Sequence, residues 1–371
     1  MMEELVYKIA LGLIPRMNAN IVRRMEDVGL GLEEFFRLDI LSLSDALGLN
    51  SKTGFGVADR EKALQRAKAE AKFVERHGIK VLSLLYEDYP WLLSELPDAP
   101  LTLYMLGDTD LNPKESVSIV GTRRFTQYGL DFTRRLLEDL GGYFPELMVV
   151  SGLAFGVDAA AHNGALDNGL PTVGVVAHGL DTIYPSAHRD LARKMLRNGG
   201  AIISEYTSTE TPYRARFLER NRIVAGLSQL TVVVESPIKG GAMSTATLAF
   251  NYNRDVMAVP GRVTDEASAG CNHLIRKEKA HLLTAAADII EQMNWEPMGV
   301  KVTPKQRILF PEMTGLPKQI FDILKYEASP IALDTLHNRL NVKISELMAS
   351  LTELEFDGVI VRHPGNRYAL P

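Results

Sequence analysis

Apolar residues recur at helical spacing over the first part of the chain. Leu5, Ile9 and Leu13, then Ile21 and Met25, then Leu32, Phe35 and Phe36 follow the 3.6-residue period, punctuated by Gly12, Pro15, Gly29 and Gly31. Residues 58–75, rich in Ala, Lys, Arg and Glu, predict a further helix. Residues 1–77 therefore read as a small helical domain. One form for it is a helix-hairpin-helix (or SAM-like) unit, whose glycine-containing turn offers backbone amides to a phosphate. The corresponding turn here, Ile14-Pro15-Arg16-Met17-Asn18, lacks those glycines, which favours a packing or interaction module.

From residue 78 to 293 the period changes. Short β-branched runs at 116–120, 147–150, 172–177, 201–204, 230–235 and 256–259 read as strands. Each is followed by a glycine-containing turn and, in most cases, by a helical stretch. Continuous apolar strands alternating with helices predict an α/β fold, an extended Rossmann-like, doubly wound, mostly parallel sheet. Residues 294–317, with Pro297, Pro304, Pro311 and Pro317, read as a linker. Residues 318–371 predict helices at 319–326, 333–340 and 343–357 and a hairpin from 358–361 and 366–370, which together make a C-terminal winged-helix domain.

With 371 residues, 46% hydrophobic and 23% charged, the chain can bury a sizeable core and divides into two or three domains. No apolar run approaches the roughly 18 residues that span a bilayer, so no membrane association is expected. The partly apolar N-terminus carries Glu3, Glu4 and Lys8 and no small-residue cleavage site, and reads as a helix. The only cysteine, Cys271, excludes a disulfide framework and cysteine-rich zinc sites and fits a reduced, cytoplasmic setting. A net charge of −5 argues against coating nucleic acid over the whole surface, but leaves room for a local basic groove.

In doubly wound sheets, ligands sit at the carboxyl ends of the strands. Four segments fall there. The first, Ser118-Ile119-Val120-Gly121-Thr122-Arg123-Arg124, leads into a helix with Thr126 as N-cap, so amides, a hydroxyl and a guanidinium would converge on one anion. The alternative for this segment alone is a tight turn with a solvated Arg123. Its glycines do not form G-x-G-x-x-G, which argues against a dinucleotide cofactor. The second, Ser151-Gly152-Leu153-Ala154-Phe155-Gly156-Val157-Asp158, resembles a phosphate cradle without the lysine of a P-loop, and Asp158 is either a helix cap or an actor. The third, Pro212-Tyr213-Arg214-Ala215-Arg216-Phe217-Leu218-Glu219-Arg220-Asn221-Arg222, interleaves arginines with aromatic rings, the combination that neutralises phosphates and stacks bases. Glu210 and Glu219 offset only part of that charge, so a solvated, salt-bridged helix face is the weaker reading. The fourth, Lys239-Gly240-Gly241-Ala242-Met243-Ser244-Thr245-Ala246, is another turn entering a helix. No H-E-x-x-H, no G-x-S-x-G and no metal-spaced histidine pair is present. His162, His178, His188 and His273 are scattered and read as structural.

In this order the segments resemble the DNA-processing protein A family (DprA, also called Smf). That family carries G-S/T-R, S-G-x-A-x-G-I-D, F-P-x-R-N-R followed by I-A-G-L-S, S/G-G-x-x-x-T-A, V-P-G and G-x-N-x-L-I. The counterparts are Gly121-Thr122-Arg123; the segment from Ser151 to Asp158; Phe217-Leu218-Glu219-Arg220-Asn221-Arg222 with Ala225-Gly226-Leu227-Ser228; the turn opened by Gly240; Val259-Pro260-Gly261; and Gly270-Cys271-Asn272-His273-Leu274-Ile275. Leu218 replaces the family's proline, Val157 an isoleucine, and Met243-Ser244 the usual Leu-Ile. The resemblance covers about residues 79–285. It implies a homodimer that binds single-stranded DNA, protects incoming DNA and loads RecA recombinase during natural transformation, while the missing motifs noted above lead to the expectation of no catalytic residue, metal or cofactor. The DNA-binding set it implies is Gly121, Thr122, Arg123, Ser151, Gly152, Arg214, Arg216, Phe217, Arg220, Asn221, Lys239, Gly240 and Gly241.

Two other classes compete. Nucleotide-processing enzymes of the lysine-decarboxylase-like (LOG) group are similar in fold and carry P-G-G-x-G-T-x-x-E. Aligned on Gly240-Gly241, that motif puts Met243 at its third glycine and Thr247 at its glutamate, which removes the acid-base group. A transcription regulator would read duplex DNA with the helix at 345–357. That helix holds Glu346, Glu353, Glu355 and Asp357 and no lysine or arginine, so the winged domain reads as a protein-interaction module.

Overall fold

The strand runs assemble side by side in the order β1-β2-β6-β5-β4-β3-β7-β8-β9. The computed structural model describes residues 2–49, 57–298, 315–325, 331–340, 342–356, 359–363 and 366–370. Strands β1 (Lys80–Ser83) and β2 (Thr102–Gly107) flank the short helix α6 (Trp91–Ser94), after the N-terminal helices α1 (Met2–Leu13), α2 (Ala19–Asp27), α3 (Leu32–Arg37), α4 (Ile40–Leu47) and α5 (Val57–His77). The parallel part follows: β3 (Ser116–Val120), α7 (Gln127–Tyr143), β4 (Met148–Ser151), α8 (Val157–Asp167), β5 (Thr172–Val175), α9 (Arg189–Arg197) and β6 (Ala201–Ser204). The chain then crosses by α10 (Arg214–Gly226) to β7 (Leu230–Val233), α11 (Gly241–Asn251), β8 (Asp255–Ala258), α12 (Ala269–Arg276), β9 (His281–Leu282) and α13 (Ala286–Met293).

Both faces of the parallel strands are buried, which is why they read as unbroken apolar runs. Val120, Val150, Val175 and Val233 point to one side, under Ile223 and Val224 of α10 and Ala246 of α11. Their neighbours Ile119, Val149 and Val232 point to the other, against Leu136 and Leu140 of α7 and Ala161 of α8. Each fully buried aliphatic side chain contributes about 1.5–3 kcal/mol. Strands β3 to β6 progress one way from β3, whereas β7 pairs with the opposite edge of β3, Val120 beside Val233. The carboxyl ends of β3 and β7 are therefore the point where the winding reverses.

The N-terminal helices share a core with the antiparallel edge. Ile9, Leu11, Met25, Phe35 and Ala67 pack with Val81 and Tyr104 of β1 and β2. The Arg23 guanidinium donates to the carbonyls of Ser94 and Leu96 at 2.7 and 2.6 Å, fixing α2 to the end of α6. In the turn considered as a phosphate-binding hairpin, Asn18 caps α2, its side-chain oxygen accepting from the amides of Asn20 and Ile21. Those amides are already satisfied by the chain itself.

Contacts divide the chain into two compact units, residues 1–299 and 300–371. The second unit holds α14 (Gly315–Lys325), β10 (Ile331–Ala332), α15 (Leu333–Leu340), α16 (Ile344–Phe356), β11 (Val361–His363) and β12 (Arg367–Ala369). The strands pair β10-β12-β11 beside a core of Ile320, Leu336, Leu347, Leu351 and Tyr368, a winged helix. Most of the expected linker lies outside the described residues.

Candidate nucleic-acid interface

A cleft of about 380 Å³ opens where the winding reverses. Gly121, Thr122, Arg123 and Arg124 line it after β3; Gly152, Ala154 and Phe155 after β4. Phe217, Leu218, Arg220, Asn221 and Val224 enter from α10, and Gly240, Gly241, Ala242 and Thr245 from α11.

The turn amides are not all open to a ligand. Thr126 caps α7, accepting from the Gly129 amide, as its position in the sequence predicts. Its own amide and hydroxyl, however, donate to the buried carboxylate of Glu235 at 2.8 and 2.6 Å. An internal anion thus occupies the positive end of that helix. The expected convergence of the Thr126 hydroxyl on a bound anion is not what the fold provides. The turn after β4 is filled the same way: Asp158 accepts from the amides of Gly152 and Ala154 at 3.1 and 3.3 Å. Burial raises the pKa of Asp158, and the Arg220 charge opposes that shift. The N-terminus of α11, by contrast, has no side-chain cap, and Gly240, Gly241 and Ala242 present it to the cleft.

Arg220 is only 5% exposed and donates to the Val175 carbonyl at 2.6 Å. Its guanidinium lies directly on Gly152, where an added Cβ would fall 2.0 Å from Nη1, so a side chain there would have to displace the buried guanidinium. Gly156 has φ +86° and would clash with the Thr122 carbonyl if it carried a side chain, which locks the first two turns together. The Arg220 Nε has no partner among the described residues.

The periodicity of α10 sorts its arginines. Residues 217, 218, 220, 221 and 224 line the cleft. Arg216 and Arg222 turn to the opposite side, onto Glu210 and Glu205 respectively, and Arg216 also donates to the Thr211 carbonyl at 2.6 Å. There they border a separate polar pocket with Arg66 and Glu219. Acidic pairing is therefore more complete than the linear sequence suggests, because Glu205 and Glu210 arrive from the loop after β6. Arg214 is exposed at the first position of α10, and neither it nor Arg123 has an ion pair among the described residues. The Arg123 guanidinium carbon lies 5.9 Å from the centre of the half-buried Phe217 ring, a cation–π distance. Phe217 also packs against Tyr184, with centroids 5.8 Å apart.

Of the residues singled out from the sequence, Gly121, Thr122, Arg123, Gly152, Phe217, Arg220, Asn221, Gly240 and Gly241 come together in the cleft. Arg214 and Lys239 are exposed outside its lining. Ser151 is fully buried beneath it, donating to the Ile119 carbonyl at 2.7 Å. Arg216 faces away. The DNA-binding set read from the sequence leaves out Phe155, 49% exposed, and Arg124, both of which line the cleft. A phenylalanine inside a glycine-rich turn, with no strand or helix period to bury it, was the available signal.

A doubly wound sheet with an unpaired arginine and aromatic rings at its reversal point, followed by a winged helix, defines a Rossmann-like protein with a cleft suited to phosphate and ring contacts. The comparisons narrow this. Residues 80–294 match the model of DNA recombination-mediator protein A, and residues 311–366 match the DprA winged helix domain. The chain is 39% identical to the DNA processing protein DprA of Streptococcus pneumoniae over 57% of this chain and 74% of that one. It is 33% identical to the protein Smf of Synechocystis over 87% and 89% of the two chains. The X-ray structure of the S. pneumoniae protein superposes with a TM-score of 0.63 at 31% identity, covering 77% of this chain and 96% of that one. A Helicobacter pylori DNA processing protein A structure, described by its single-stranded DNA binding mode, gives 0.52 at 32% identity over 58% and 95%. The chain belongs to the DNA processing protein A (DprA/Smf) family.

Proposed function

We propose that this protein binds single-stranded DNA through the cleft at the β3–β7 reversal, works as a homodimer in the cytoplasm, protects incoming DNA and loads RecA recombinase onto it in natural transformation. The observation that carries the binding reading is Arg123, unpaired at the strand end and set over Phe217. One group neutralises a phosphate while the other offers a face to a base, which is how single strands are held without sequence readout. The uncapped α11 N-terminus adds amides for a second phosphate. Membership in a family named for mediating DNA recombination supports the recombination part of the reading. A gel shift with single- and double-stranded oligonucleotides of equal length tests it: the single strand should bind more tightly, and equal or tighter duplex binding would overturn it.

The enzyme reading rests on Asp158, a buried carboxylate with a raised pKa beside the cleft. Against it, Asp158 is engaged by two backbone amides, and Thr247 donates its hydroxyl to the Met243 carbonyl within α11 at 2.8 Å. The acid-base position of the LOG motif therefore holds a hydroxyl directed into its own helix. The protein should act without catalysis or cofactor. Free base released from nucleoside monophosphates would reverse that conclusion.

A further inference from the structure

A cleft of about 380 Å³ lies at the low end of small-ligand pockets, whereas single-strand sites extend over roughly 4–16 nucleotides. A strand seated in the cleft has to leave it. On the far side of α10, Arg66, Arg216 and Arg222 are matched by Glu205, Glu210 and Glu219, so that side offers a polyanion no surplus of positive charge. The opposite exit leads over Phe155, which lines both the cleft and a second groove of about 290 Å³.

That groove runs between α7 and α8. Its floor is flat because Ala160 and Gly164 of α8 face it, and Phe125 lines it as well, 36% exposed. Two exposed phenylalanines on one groove are an expensive use of surface unless something stacks on them. Arg134 of α7 is exposed there and has no ion pair among the described residues. His188 packs edge-on to Phe155 with centroids 4.8 Å apart. Its Nδ1 lies 2.8 Å from the Leu153 carbonyl and donates to it, which fixes the ring's orientation beside Phe155. The groove's carboxylate, Asp167, is the last residue of α8, about 15 Å along the helix from its start.

We propose that the DNA strand continues from the cleft over Phe155 into this α7–α8 groove, which stacks its next bases on Phe155 and Phe125 and holds a phosphate with Arg134. The proposal rests on the cleft as the single-strand site and extends it. The test compares oligothymidylates of about 4 and about 12 nucleotides, one at the lower end of the usual site sizes and one well inside their range. Binding to the intact dimer is measured for the wild type, Phe125→Ala and Arg134→Ala. Arg134→Ala should leave the short oligonucleotide unaffected and flatten the salt slope for the long one by about 0.7. Phe125→Ala should weaken the long oligonucleotide roughly 5- to 150-fold, the range of one lost base stack, with the short one unchanged. Arg134 is exposed and has no ion pair among the described residues, so its variant reads binding without a folding defect. Unchanged affinity for both lengths, or equal weakening of both, would overturn the groove while leaving the cleft in place. Wild-type protein that holds neither oligonucleotide would refute the cleft, and the groove with it.

Discussion

Counting the arginines between residues 214 and 222 without their geometry would assign four phosphate contacts, a contribution of roughly 2.8 to the slope of log affinity against log salt. The structure divides them. Arg216 and Arg222 are held by Glu210 and Glu205 on the back of α10, and Arg220 is buried against Gly152 and the Val175 carbonyl. Arg214 alone of the four is exposed with no ion pair among the described residues, and Arg123 of the β3 turn, which lines the cleft, has none either. Replacing Arg123 and Arg214 together by alanine should flatten the slope by about 1.4, so raising salt fourfold costs the wild type roughly sevenfold more affinity than the variant. Arg216→Ala should leave the slope unchanged and lose about 1 kcal/mol of stability with its ion pair. Fluorescence anisotropy on one labelled oligonucleotide across a salt series measures all three slopes, and thermal melts confirm folding. A flatter slope for Arg216→Ala, or an unchanged one for the double variant, would show that α10 presents its other face to DNA.

Phe217→Ala should lose about 1–3 kcal/mol of single-strand affinity at constant salt slope, with little change in melting temperature, because the ring is only half-buried; a large drop in melting temperature with intact affinity would make it a core residue instead. Deleting residues 300–371, a compact unit whose α16 carries Glu346 and Glu353 and no basic side chain, should change single-strand affinity by less than a few-fold; a loss beyond about tenfold would place DNA on the winged domain. Burial pushes His162 down to about 3 from its ordinary 6.5, so the unfolded chain takes up the proton first. Its contribution to stability is complete above about pH 6.5 and is lost as pH falls toward 3, by up to about 1.4 kcal/mol per pH unit. Denaturant melts should therefore show the gap between wild type and His162→Asn narrowing as pH drops from about 7 to about 5, and a constant gap would mean that the buried ring carries a proton.

The parallel strands were legible because burial on both faces leaves an unbroken β-branched signature, and two of the runs, at 116–120 and 201–204, coincide with β3 and β6. The antiparallel edge was not. β1 and β2 are partly covered by the N-terminal helices, and that cover comes from residues some seventy positions away, such as Ile9 against Val81. The turns that build the cleft were visible as glycine-rich strings, but their occupants were not. Nothing near Thr126 in sequence announces Glu235, and nothing near Gly152 announces that Arg220 will fill the space its missing side chain leaves. The arginine cluster was found as a composition, and only the helical phase of α10 decides which of its members look at the cleft.

The two carboxylates that fill turn amides from inside, Glu235 and Asp158, bear on competition within the cell. A free nucleotide depends on one or two phosphates finding open amides, and here two of the three turns have already spent theirs. On the proposed reading a long strand would lose little by this, because its hold would be spread over several cations and ring faces. Soluble nucleotides at metabolic concentrations should therefore be poor competitors. The fold would stay available for DNA amid a large excess of the monomers from which DNA is made.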